Sequence, residues 1–133
     1  MLFRSVFFRI ANFWNVVSNI PFAIIGAIGC LWLLRPRNAA NAFGEPWERT
    51  AYYVLFAGEL LMCAGSAYYH TAPSNATLIW DRLPLSTLPA AFFSILITEF
   101  VDAHMGRVLL WPLAGFGVLS TAYWGVKIGR AHV

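Results

Sequence analysis

Four apolar stretches set the limits on what this chain can become. They run from about Phe13 to Leu34, Ala51 to His70, Leu78 to Val101 and Val108 to Val126, and each is near the roughly 20 residues that cross a hydrocarbon core. A backbone in lipid finds no water to bond, so such segments must satisfy themselves as helices. Hydrophobic residues make up 59% of the chain and charged residues 11%, more apolar surface than a soluble fold of this length hides in one core. The connection from Asn38 to Glu48 is polar and contains Gly and Pro, whereas that from Thr71 to Thr77 is short. Short links make antiparallel neighbours. The expectation is an all-α, polytopic membrane helix bundle with about four transmembrane helices at 13–34, 51–70, 78–101 and 108–126. It forms one domain over 1–133, integral and multi-pass, in the cell membrane if the host is bacterial.

The net charge of +3 is spread without a basic cluster, so it reads as loop arginines facing headgroups and not as a nucleic-acid surface. Arg4 and Arg9 ahead of an apolar run resemble the start of a signal peptide. That run, however, contains Asn15, Ser18, Asn19 and Pro21 and continues past Cys30 to Leu34, which reads as a retained membrane helix. Cys30 and Cys63 lie within apolar runs and read as small packing residues. Arg4, Arg9, Arg82, Lys127 and Arg130 fall on one side of the membrane, and Arg35, Arg37, Arg49 and Arg107 on the other. This balance sets no orientation.

The alternation of spans gathers polar residues on one side. The first span begins where the second ends and the third starts, which collects Asn15, Ser18 and Asn19, then Ser66 and His70, then Asp81. Asn15, Ser18 and Asn19 share a helix face by i, i+3 and i+4 spacing, and Ser66 and His70 share another. Each group also has a plain structural reading. Asn15, Ser18 and Asn19 can cap a helix and join helices together. His70 can sit in an aromatic belt with Tyr68 and Tyr69. Asp81 can be a carboxylate at a helix N-terminus, with Pro84 in the first turn. Glu59, on the stripe of Ser66 and His70, can tune a site or pair with another polar helix face. Glu99, eighteen residues after Asp81, is roughly 27 Å further along a helix and belongs to the other interface.

Ionisable groups at membrane depth are expensive and by default mark function. Taken together, an imidazole suits zinc, a carboxylate can take a proton from water, and a hydroxyl can donate to an oxyanion. A catalytic zinc needs three protein ligands. His104 and His132 fall in a loop on the opposite side and in the tail, so neither joins His70 readily.

At these residues the chain resembles the alkaline ceramidase family, within the wider CREST group of membrane hydrolases. The matching segments are Asn12-Phe13-Trp14-Asn15-Val16-Val17-Ser18-Asn19-Ile20-Pro21-Phe22, Gly65-Ser66-Ala67-Tyr68-Tyr69-His70 and Trp80-Asp81-Arg82-Leu83-Pro84. The similarity runs over almost the entire chain and is closest to bacterial members. The resemblance implies the first part of a seven-helix fold around a zinc ion held by three histidines, cleaving the amide bond of ceramide-like lipids. It implies His70 as a zinc ligand. Ser66 and Asp81 are implied as catalytic residues that orient and activate the zinc-bound water, with Ser66 also steadying the oxyanion. Asn15, Ser18 and Asn19 would form a structural polar cluster beside them.

The other two ligands are implied on a last helix as a His-x-x-x-His pair, which this sequence lacks. The chain therefore reads as the N-terminal part of a truncated enzyme, completed by missing C-terminal helices or by a second chain. Some members of the family bind calcium through acidic residues near the N-terminus. Here no acidic residue precedes Glu45, and Asn12 stands near where a glutamate is expected, so calcium is not expected. A function of another class is a non-catalytic four-helix membrane protein, or an inactive ceramidase relative, that packs with partners or binds lipid. Gly26, Gly29, Gly58 and Gly65 would then mark helix-contact faces.

Overall fold

Prolines and short polar side chains decide where the helices of this chain start and bend. A computed structural model describes residues 6–7, 10–35 and 42–131, with side chains described for 12–35 and 42–127. Arg4, Arg9, Arg37, His132, the Arg130 side chain and the first part of the connection from Asn38 lie outside the described residues. A two-residue antiparallel ribbon, β1 (Val6–Phe7) and β2 (Ile10–Ala11), pairs Val6 with Ala11 and Phe7 with Ile10. All the long elements are helices.

The first apolar stretch divides into α1 (Phe13–Val17) and α2 (Ile20–Leu34). Pro21 occupies the first turn of α2, and without an N–H it cannot bond the carbonyl four residues back. Ser18 and Asn19 fill the gap by turning their side chains onto the Asn15 carbonyl, at 2.9 and 2.7 Å. Such local side-chain bonds compete with a continuous helix. Next come α3 (Glu48–Thr71), α4 (Asn75–Phe100) and α5 (Ala103–Ala131). The Glu48 carboxylate accepts from the backbone N–H groups of Gly44 and Glu45 at 3.1 and 3.2 Å, which holds the start of α3.

The α4 helix starts three residues earlier than the apolar run suggests, because Ser74 and Thr77 form a reciprocal cap. The Thr77 N–H donates to Ser74 Oγ at 3.1 Å and the Ser74 N–H to Thr77 Oγ1 at 2.9 Å. Pro84 and Pro89 consequently lie inside α4. Asp81 stands in its second turn and not at the N-terminal end, and no acidic residue occupies the first turn. The reading of Asp81 as a carboxylate at the helix N-terminus, with Pro84 in the first turn, is corrected by this cap.

Phe13–Leu34, Glu48–Thr71, Asn75–Phe100 and Ala103–Lys127 are each long and apolar enough to cross a membrane. Extensive packing follows chain order, α2 on α3, α3 on α4 and α4 on α5. Among the described residues α2 and α5 share no comparable contact. The helices therefore form the expected all-α bundle, with chain neighbours packed side by side as an antiparallel row. Ala51, Ala91, Ile95 and Leu110 make a small core flanked by Trp47, Tyr52, Val54 and Leu55. In no span is more than 28% of the most apolar window buried, so most of the apolar surface faces outward, as lipid solvation requires. Gly26, Gly29, Gly58 and Gly65 do lie at helix contacts, against Phe56, Leu60, Leu88 and Trp80.

Candidate active site

The short turn between α3 and α4 puts the C-terminal end of one beside the N-terminal end of the other. Ser66 and His70 occupy the last two turns of α3, and Asp81 the second turn of α4. The two helices meet at Gly65. A Cβ on Gly65 would overlap the carbonyl oxygen of Trp80 and crowd the backbone nitrogen of Asp81. Pro84 explains why that carbonyl is available. Trp80 is its i−4 residue, and a proline there offers no N–H to engage the oxygen. A glycine on one helix and a proline on the other thus let α3 pack at Gly65 against the Trp80–Asp81 backbone.

Ser66 is buried, 6% exposed. Its hydroxyl oxygen accepts a hydrogen bond from Asn19 Nδ2 at 3.1 Å. The same nitrogen donates to the Asn15 carbonyl at 2.7 Å. A carbonyl can only accept, so the Asn19 amide is oriented with nitrogen toward both partners. Ser66 must therefore be the acceptor, and its own proton stays available. Among the described residues no acceptor takes that proton.

His70 and Asp81 are both half-buried. The backbone carbonyl of His70 accepts from Asn12 Nδ2 at 2.8 Å, a tie across 58 residues. Asn12 caps α1 in the left-handed region, at φ 53°, yet makes no side-chain bond to the helix it caps. Asparagine is among the few residues that tolerate that conformation. The imidazole lies 5.1 Å, centroid to centroid, from the Tyr69 ring. Neither that imidazole nor the Asp81 carboxylate has a hydrogen-bond partner among the described residues.

The expected polar cluster is only partly assembled. Asn19 reaches Ser66, but Asn15 and Ser18 are exposed, and Ser18 bonds back to its own turn. The break before α2 is the reason, since a single continuous helix would have kept all three on one face. Asn12 was legible as part of a motif, but its hold on His70 was not. An asparagine immediately before an apolar helix was the available signal. Glu99 falls at the far end of α4, as its spacing suggested, and His104 lies at that same end but in the first turn of α5 and not in a loop. Glu59 lies seven residues before Ser66, roughly 10 Å along the axis, and its Oε2 is buried without a hydrogen-bond partner among the described residues.

Zinc needs at least three ligands from the protein in a catalytic site. Among the described residues no group of three His, Cys, Asp or Glu side chains could hold a metal ion. These residues supply one imidazole and one carboxylate and do not by themselves fit a zinc ion. What they do supply is an available hydroxyl proton, a carboxylate and an imidazole at one end of a membrane-spanning row. A protein-family model described as Ceramidase matches residues 5–129. Comparison with curated proteins and with solved structures gives no match.

Proposed function

The chain belongs to the ceramidase family, and on that premise we propose that it carries the Ser66, His70 and Asp81 half of an integral-membrane amidase acting on ceramide-like lipids. The observation that supports this most is the Gly65 contact with the Trp80–Asp81 backbone. It packs the α3 turn that carries Ser66 against the α4 turn that carries Asp81, and an ionisable residue in a membrane-spanning helix is by default a functional candidate.

In the proposed reaction the lipid amide carbonyl lies beside Ser66. The Ser66 hydroxyl, held by Asn19 with its proton outward, donates to the oxygen as negative charge develops on it. The Asp81 carboxylate takes the proton of the attacking water and returns it to the departing amine nitrogen. Water adds to the carbonyl carbon, the carbon–nitrogen bond breaks, and a fatty acid and a sphingoid-type amine leave. His70 is proposed as one ligand of a zinc ion whose remaining ligands come from outside the described residues, on further helices or a second chain. Calcium has no role in this reading. The lipid substrate and a multi-pass location, the cell membrane in a bacterial host, complete the proposal.

The test is amide hydrolysis by membranes containing the protein, supplied with a ceramide carrying a labelled acyl chain. Release of labelled fatty acid, lost in Ser66→Ala, supports the reading. No release above membranes lacking the protein favours a non-catalytic member of the family that binds lipid or packs with partners.

A further inference from the structure

Beside the proposed catalytic end, the seam between α4 and α5 holds a cation with no carboxylate partner among the described residues. Gly117 of α5 packs against the backbone carbonyl of Ser86, and a Cβ there would overlap it. Beside this contact lies a cavity of about 300 Å³ lined by Arg82, Leu85, Ser86, Ser120, Thr121 and Trp124. The Arg82 guanidinium lies 5.2 Å from the centre of the Trp124 ring, and among the described residues it has no acidic partner. Lys127, one turn further along α5, lies 5.1 Å over the Tyr123 ring. Both cations are held by aromatic faces, which orient them without removing their charge.

The hydroxyls in this cavity divide into two kinds. Thr121 donates to Ser86 at 2.9 Å, and Ser86 donates to the Leu83 carbonyl at 2.9 Å. Both protons are engaged, so these two form a fixed floor. Ser120 is exposed and makes no hydrogen bond among the described residues, so it can still donate. A second cavity of about 300 Å³ shares Ser86 and Ser120 and continues along the same seam, lined by Pro89, Phe93, Leu113 and Phe116. From Arg82 to Phe93 is eleven residues of α4, roughly 16 Å of helix. The seam therefore has a cationic, hydrogen-bonding end toward the start of α4 and an apolar extension toward its middle.

We propose that this seam is a binding site for an anionic phospholipid, with Arg82 and Ser120 on the phosphate and one acyl chain along Pro89, Phe93, Leu113 and Phe116. A phosphate accepts charge-assisted bonds from guanidinium. The apolar extension selects a lipid over a free phosphate ion. The site is separate from the amide-cleaving proposal and stands or falls without it.

Native mass spectrometry of the detergent-purified protein, titrated with phosphatidylglycerol and with phosphatidylcholine of the same acyl chains, tests it. The wild type should retain phosphatidylglycerol preferentially. Arg82→Gln should weaken that binding about tenfold, as loss of a charged hydrogen bond implies, and Arg82→Lys should keep the preference. If Arg82→Gln does not fold, Ser120→Phe, which fills the shared mouth from an exposed position, should abolish retention. Equal retention of both lipids by the wild type would overturn the proposal. So would an unchanged preference in a folded Arg82→Gln or Ser120→Phe protein, or displacement of the lipid by inorganic phosphate at equal concentration.

Discussion

Asn19 donates from one amide nitrogen to both the Asn15 carbonyl and Ser66 Oγ, at 2.7 and 3.1 Å, and so fixes the serine as an acceptor with its proton free. A serine inside a helix often turns its hydroxyl onto the carbonyl of the preceding turn. Ser86 does so in α4. Ser66 is spared, and the difference is its partner on the neighbouring helix.

Replacing Asn19 by Asp should reverse this arrangement. A carboxylate would draw the Ser66 proton toward itself and away from a substrate oxyanion. Amide hydrolysis should fall by about 10²-fold, near the effect of deleting an oxyanion donor, and Ser66→Ala should fall by a similar amount. Kinetics of the two variants and the double variant check this. A double variant no worse than either single one is the expected outcome, since both act on one proton.

Gly65 is where α3 and α4 meet beside the proposed site. Gly65→Ala should force α3 and α4 apart at Trp80, lowering stability by about 1–3 kcal/mol, as overpacking does. Thermal unfolding in detergent reports the loss. Gly115, which has nothing within 4 Å of its Cβ position, should accept alanine without destabilisation.

The Asn12 tether can be separated from its backbone conformation. Asn12→Gly keeps the left-handed backbone but removes the bond to the His70 carbonyl. It should cost about 1 kcal/mol, the usual net worth of one hydrogen bond. Asn12→Val should be worse, because a branched side chain resists positive φ. Equal unfolding temperatures for the two variants would show that conformation plays no part.

Metal content tests the proposed role of His70. Protein isolated without chelators, in its native membrane assembly, should carry zinc that is lost in His70→Ala and retained in His104→Ala. Equal zinc in all three would remove His70 from the ligand set.

The sequence made the four spans legible because lipid solvation demands about twenty apolar residues per helix, a strong and nearly context-free signal. Ser66 and His70 were legible as a pair because their separation of one helical turn survives in any continuous helix. That they lie at the same end of the row as Asp81 followed from the short turn between the two spans. Spacing could not divide Asn19 from Asn15 and Ser18, because Pro21 breaks the helix and resets its phase. The start of α4 was misplaced for a related reason: the cap is made by Ser74 and Thr77, polar residues that hydropathy discounts. The Trp80 carbonyl against Gly65 was beyond reach, since it depends on where Pro84 falls relative to a contact on another helix. The same holds for the Arg82 seam, where neighbours on α5 are set by packing and not by spacing.

The most direct test of the site is Asp81→Asn, which keeps size and shape while removing the proposed proton acceptor. Membranes carrying the wild type should release fatty acid and sphingoid amine from ceramide. The variant, with unchanged unfolding temperature, should be slower by about 10²- to 10⁴-fold, the range of a lost general base. Undiminished hydrolysis by a folded Asp81→Asn protein would contradict the assignment of the α3–α4 end as the catalytic centre.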